Sequence, residues 1–445
     1  MVKQTVLNFK IKETNEELTS HAGLIAFGEF LQGLRLRKQI GRYLSKPQSG
    51  RGYESWEVIE PLILMLVGGG RSIEDLRVLR MDRGLKEALK IERIPSSSAV
   101  GRYLKRAYER GDLEGLKEIN RRILKTAMKY SESKGHELDI DATVIKAQKR
   151  EARKTYKGFK GFTPIIGHVE VGGMRFIVDA EFREGNESPN SKNLEFIKSC
   201  ISRMPEGHTI KMIRADAATY QAEVFNNCEE EGRGFVVGGR MDATLRETIK
   251  RIPEEEWEDL EGGGTGVKVT EISHSMEHTQ KAFRLIVVRR PYQMLLPFPE
   301  FSRQKEEEEE ERYKLIATNL PLRYTPNDVV RLYNQRGDAS ENRIKELKID
   351  FGMERMPSGD FGANAIFFMI GVLAYNLFTL FKMLILGENH HKERAITTRW
   401  RLFNTPAHVV YHARQLFLLL SRKLAAWLCE LRARIYELYQ EVALE

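Results

Sequence analysis

Three carboxylates in this sequence sit where they could do chemistry together. Asp141 lies in ELDIDATVI (residues 137–145), where apolar and polar residues alternate as in a strand, with Asp139 on the same face. Asp216 lies in RADAATY, at the C-terminal end of a second strand-like stretch (209–215), where a side chain can project into a cleft. Glu341 lies in YNQRGDASENRIKELKID (333–350). Read as a helix, that stretch puts Glu341, Lys345 and Lys348 on one face and Ile344, Leu347 and Phe351 on the apolar side. Carboxylates from three separate elements can converge on two divalent cations about 3.5–4 Å apart. Hard oxygen donors of this kind suit Mg²⁺, with Mn²⁺ able to substitute. One ion would activate a water or a 3′-hydroxyl, and the other would stabilise the leaving oxygen of a phosphodiester. Each acid also has a plain structural use: Asp141 as a polar strand end, Asp216 as a helix cap, and Glu341 paired with Asp338 in a D-x-x-E capping box.

The elements that must position these acids can be read in outline. Residues 1–130 read as helical, with apolar positions at helical spacing over 24–44, 56–66 and 73–89, and Gly68-Gly69-Gly70 separating the last two. In IPSSSAVGRYLKRAYERG, Ser97 or Ser98 can cap a helix after Pro95. That helix sets Arg102, Lys105, Arg106 and Arg110 in one stripe. A short helix, a turn and a basic helix resemble a helix-turn-helix, and a solvated face on a helical bundle explains the stripe equally well. The run 146–161 holds seven Lys and Arg and one Glu directly after the Asp141 strand, well placed to hold phosphates. Strands over 165–171 and 174–182, joined by Gly172-Gly173, form an expected hairpin. A helix over 193–204, the 209–215 strand, a helix over 220–231 and a strand in GFVVGGRM follow.

This order resembles the ribonuclease-H-like fold, which presents acids from its first and fourth strands and from a later helix. The expected class is therefore α+β or α/β: a ribonuclease-H-like core carrying a β-rich insertion (strands over 266–275, 282–289 and 314–317). The run Glu306–Glu311 within it reads as a solvated loop. Thr325-Pro326-Asn327-Asp328 starts the Glu341 helix, with proline in its first turn. Residues 361–381 carry no formal charge and are long enough to span a bilayer. Asn364, Tyr375, Asn376, Gly362 and Gly371, with no second span, favour a buried core helix. Residues 406–442 read as an amphipathic basic helix or helix pair. The expected division is 1–130 (helical, DNA-end-binding), 131–241 (core, first part), 242–320 (insertion), 321–387 (core, second part) and 388–445 (helical C-terminal tail).

At 445 residues the chain has room for about three domains. Cys200, Cys228 and Cys429 form no C-x-x-C pair, which argues against a disulfide framework or a cysteine zinc site. The N-terminus, MVKQTVLNFKIKETNEE, lacks the apolar stretch of a signal peptide, so a reducing cytoplasmic setting is expected. Residues 1–130 hold 25 Lys and Arg against 16 Asp and Glu, while the whole chain is only +8. Positive charge concentrated in one third points to a polyanion, nucleic acid first.

Together the segments LDIDATVIKA, RADAATYQAEVFN and YNQRGDASENRIKELK resemble the DDE transposases of bacterial insertion sequences. Within them the chain looks closest to the family numbered thirteen-eighty, relatives of the group with a Tyr-x2-Arg-x3-Glu-x6-Lys signature. YKGFKGFTPIIGH, FREGNESP and LAYNLF are also similar to this family. The resemblance implies Asp141, Asp216 and Glu341 as catalytic metal ligands, with Tyr333, Arg336 and Lys348 orienting terminal phosphates. It implies cut-and-paste transposition through hairpin ends in a nucleoid-associated protein. The partners implied are double-stranded DNA (terminal inverted repeats and target) and a second copy in the DNA complex, with no membrane. Trp257, the one tryptophan between Asp216 and Glu341, is the candidate platform for a flipped base. In one respect the sequence departs from the signature: four residues, not three, separate Arg336 from Glu341. On a continuous helix this moves Arg336 from about 40° to about 140° away, so a break at Gly337-Asp338 or a π-bulge is expected. A catalytically silent DNA-binding regulator and a nuclease without strand transfer are the competing readings.

Overall fold

The computed structural model describes residues 11–47, 50, 52–291 and 312–443, and the six glutamates at 306–311 lie outside the described residues. The chain opens with a short strand, β1 (Glu17–Thr19), and a helical region. Its helices are α1 (Ala22–Gly33), α2 (Leu36–Tyr43), α3 (Ser55–Gly68), α4 (Leu76–Met81), α5 (Arg83–Leu89), α6 (Ser97–Glu109) and α7 (Asp112–Met128). The cap of α6 is Ser96, not Ser97 or Ser98: its hydroxyl accepts from the Ala99 amide at 3.3 Å. Ser96 follows Pro95 directly and is still extended, so the helix begins one residue earlier than the spacing implied. Helix α6 buries Val100, Tyr103, Leu104 and Ala107 and leaves Arg102 and Lys105 exposed.

The next stretch builds the sheet that carries the acids. It contains β2 (Gly135–Ala142), β3 (Ile145–Lys146), β4 (Arg153–Lys154), β5 (Lys160–Phe162), β6 (Ile165–Val171), β7 (Met174–Glu181), α8 (Asn193–Ser202), β8 (Thr209–Ala215), α9 (Ala222–Glu230) and β9 (Gly234–Gly238). Helix α10 (Ala243–Lys250) and strands β10 (Glu258–Asp259), β11 (Lys268–His274), β12 (Phe283–Arg289) and β13 (Tyr313–Thr318) follow. One nine-stranded sheet results, in the order β10-β11-β12-β13-β9-β8-β2-β6-β7. Strand β8 is parallel to both β2 and β9, and the remaining pairs are antiparallel. The parallel strands are buried on both faces, which explains their nearly unbroken apolar runs such as GFVVG. The β-rich segment after β9 is not a separate layer: β13 pairs with β9, so the same sheet simply continues. The basic run 146–161 folds into its own small sheet, in the order β3-β5-β4.

Helix α11 (Pro326–Lys345) starts as expected, with Thr325 and Asp328 bonding each other's backbone amides at 3.0 and 3.2 Å. It runs unbroken past Gly337 and Asp338, so the expected break is not present and no helix begins at Asp338. The π-helical turn comes later, at Glu346–Asp350, beyond Glu341. A single glycine costs a helix only about 1 kcal/mol. Buried Val329 and Val330 at one end and Ile344 at the other anchor the helix on either side of it.

Helix α12 (Phe361–Phe381) is the buried axis of the molecule, packed against α3, α6, α7 and β7. It is apolar and long enough to cross a membrane, and 89% of its most apolar stretch is buried inside the protein. The tail corrects the sequence reading. In place of a helix or helix pair, a hairpin of β14 (Ala407–His412) and β15 (Gln415–Leu419) precedes helix α13 (Arg422–Ala443). Ala413 and Arg414 both adopt positive φ, 49° and 63°, the geometry of a two-residue hairpin turn. Burial alternates with period two along QLFLL, and the leucine and phenylalanine content had masked it. β1 adds to β14, tying the two ends of the described chain together.

Candidate active site

Register brings the first two acids together. On the parallel pair β2 and β8, Ile140 is opposite Ala215 and Asp139 opposite Arg214. Asp141 follows Ile140 on β2 and Asp216 follows Ala215 just past the end of β8, so the two acids leave neighbouring strands, which lie about 5 Å apart at the backbone. Asp216 has its plain use as well: one carboxylate oxygen accepts from the Ala218 amide at 2.9 Å, capping the turn Ala217–Thr219. That bond fixes the side chain and leaves its other oxygen for a ligand.

Helix α11 lies across these strand ends. The Tyr333 hydroxyl sits over Gly238, where an added Cβ would be 2.8 Å from it and 2.9 Å from the Ala217 amide. Glycine is required there by close approach. Burial raises the Tyr333 pKa, Arg336 opposes the shift, and the charges of Asp216 and Asp141 add to it. The Arg336 guanidinium lies 5.2 Å from the Tyr333 ring centre, is buried, and has an Nε with no hydrogen-bond partner. Lys314 covers the same ring at 4.5 Å. One turn beyond Glu341, Lys345 and Lys348 line a cleft of about 310 Å³ together with Asp141, Thr143 and Glu354. Lys348 donates to the Val144 carbonyl at 2.8 Å and to the Thr143 hydroxyl at 3.2 Å, seating the helix on the chain that leaves Asp141. Burial lowers the Lys348 pKa, Glu354 opposes this, and nearby Lys157 adds to it. The Glu341 backbone belongs to α11, and its side chain lies outside what is described. Among the described residues no three His, Cys, Asp or Glu side chains are grouped to hold a metal. Asp141 and Asp216 supply two hard oxygen donors, a set that fits a divalent cation once a third acid joins.

Other expected site residues fall elsewhere. Arg102, Lys105 and Arg106 lie on the α6 surface, where Arg106 covers Tyr103 and Lys105 is 4.0 Å from Glu109. Trp257 is only 6% exposed, with the Arg289 guanidinium 4.1 Å from its ring centre, so stacking a base would require displacing Arg289. It packs the sheet. Asp139 is fully buried and paired with Arg214 and Arg175. Tyr156, not singled out from the sequence, is exposed in the loop between β4 and β5. Its pKa is raised by partial burial and then by the charges of Asp216 and Asp141. Its position in the middle of a lysine-rich run was the available signal.

The sequence matches the family model described as transposase DDE domain, group 1, over residues 4–439. No curated protein sequence matches it. Among solved structures it is similar to a piggyBac transposase synaptic complex with hairpin DNA, with 12% identity, a TM-score of 0.41 and coverage of 96% of this chain and 83% of that one.

Proposed function

We propose, from the premise that this chain belongs to the transposase DDE domain family, group 1, that it is a DNA transposase acting at the ends of its own element by cleavage and strand transfer. The carrying observation is the register of β2 and β8, which brings Asp141 and Asp216 to neighbouring strand ends under a helix bearing Tyr333, Arg336 and Lys345, with Lys348 in the turn that follows it. The strand order β7-β6-β2-β8-β9, with only β2-β8-β9 parallel, supports reading this part as a ribonuclease-H-like core. Asp141, Asp216 and Glu341 are the proposed ligands of two Mg²⁺ ions. When bound, the ions would polarise the attacking oxygen and offset charge on the leaving one. The protein's own part is positioning. Lys345 and Lys348 draw a phosphate into the cleft, and Tyr333 with Arg336 flanks it on the Asp216 side. The exposed cations of β3-β5-β4 hold the adjoining backbone. Cleaving two ends implies two copies in one DNA complex, acting on terminal inverted repeats and passing through hairpinned ends.

The test is excision of the native element, with flanks intact, from a plasmid in cells. Wild type should excise it, and Asp216→Asn and Glu341→Gln should not. Asparagine keeps an oxygen to cap Ala218, so the Asp216 variant should fold normally. Tight binding to the ends without excision by wild type would instead favour a silent regulator.

A further inference from the structure

A buried ion pair stands two residues behind each of the paired acids. Arg214 lies on β8 two residues before Asp216, which follows the strand's end at Ala215, and Asp139 precedes Asp141 by two on β2, so Asp139, Asp141 and the paired Arg214 share one face of the sheet. The Arg214 Nε donates to one Asp139 oxygen at 2.6 Å and its Nη2 to the other at 2.9 Å, a two-point fork across the parallel strands. Arg214 is 1% exposed and Asp139 0%. The remaining nitrogen, Nη1, meets Glu137 at 2.7 Å and donates to the Leu332 carbonyl of α11 at 3.3 Å. Leu332 immediately precedes Tyr333, whose hydroxyl and the Asp216 backbone both lie against Gly238. One guanidinium therefore touches both acid-bearing strands and the helix across them.

Stability alone is a poor reason to bury such a pair. Desolvation of two charges roughly cancels their attraction, and apolar replacements of similar size are often neutral or better. What a fork supplies and an apolar contact lacks is a fixed distance and angle. On the reading that Asp141 and Asp216 hold metal, we propose that Arg214 and Asp139 are positioning residues. Their fork sets the separation of the two acids and the seat of α11, and thereby metal affinity and cleavage rate.

The test uses the full chain and two variants, Arg214→Lys and the double change Asp139→Leu with Arg214→Met. In the double variant no charge is stranded, because Arg175 keeps Glu170 at 3.1 Å and Glu137 is already 43% exposed. Melting temperature, Mn²⁺ binding followed by electron paramagnetic resonance, and cleavage of a duplex carrying one element end are measured. Both variants should melt close to wild type and bind the duplex equally. Mn²⁺ affinity should fall roughly 10-fold or more, and the cleavage rate at saturating DNA by up to about 100-fold. A folded double variant with wild-type Mn²⁺ affinity and rate overturns the proposal. So does unfolding of both variants, which would make the pair structural. Asp216→Asn separates the two layers: if it leaves Mn²⁺ binding unchanged, the reading of the acids fails. If it abolishes binding while the double variant does not, only the clamp fails.

Discussion

At the scale of single residues, side chains near the acids have environments that make specific demands. His168, on β6 opposite Asp139, is fully buried with an unpartnered Nδ1. Burial pushes its pKa down from 6.5 to about 4, with Asp139 opposing the shift. The folded state therefore holds His168 neutral, while the unfolded chain protonates it near 6.5. The stability it contributes is whole above pH 6.5 and is lost as pH falls toward 4, by about 3 kcal/mol across that window. Chemical denaturation at several pH values should show this loss, and His168→Gln should flatten it by about one proton's slope. An unchanged slope would place the acid sensitivity elsewhere. Gly238→Ala makes a second demand visible. The new methyl meets the Tyr333 hydroxyl and the Ala217 amide, so the variant should lose about 1–3 kcal/mol. Excision should fall further than the melting temperature accounts for, because Tyr333 is the side chain displaced.

At the scale of elements, the sheet's edge strand β7 is closed by side chains, not by another strand. The Asn376 Oδ1 accepts from the Ile177 amide at 2.9 Å, and its Nδ2 donates to the Ile177 carbonyl at 2.8 Å and to the Asn120 Oδ1 at 2.7 Å. Asn120 in turn donates to the carbonyls of Ile177 and Val178 at 2.9 and 3.0 Å. Two asparagines on α7 and α12 thus satisfy backbone groups that would otherwise be orphaned under these helices. Asn376→Leu keeps the volume and removes the partners, so it should cost about 2–4 kcal/mol in urea unfolding. A loss under 1 kcal/mol would show that the edge is satisfied some other way. Asn376, one of the polar residues that argued against a membrane helix in the sequence, finds its use here.

At the scale of the whole molecule, one apolar interior runs from Leu24 in α1, through α12 and the sheet, to Leu438 in α13. Helix α13 buries Leu428, Leu431, Ile435 and Leu438, and its Arg432 holds Glu29 of α1 at 2.7 and 2.9 Å. Leu431→Ala should therefore cost about 2–5 kcal/mol. Hydrogen exchange should register the loss in α1 and α12 as well as α13, and a loss confined to α13 would make the tail an independent layer. By itself the sequence determined the local features. The acids at strand ends, the 3.6-residue period of the helices, the Thr325–Asp328 start of α11 and the apolar α12 are all written in short-range pattern, because periodicity and capping act over a few residues. Other features depended on partners far apart in the chain. The Arg289 guanidinium over Trp257 and the fork between Asp139 and Arg214, 75 residues on, are contacts that no local window contains. The tail hairpin is stabilised by pairing with β1, nearly 400 residues earlier in the chain, which no local window contains. Only the tertiary structure set Asp141 beside Asp216, since parallel strand register is fixed by packing over the whole sheet and not by either strand alone.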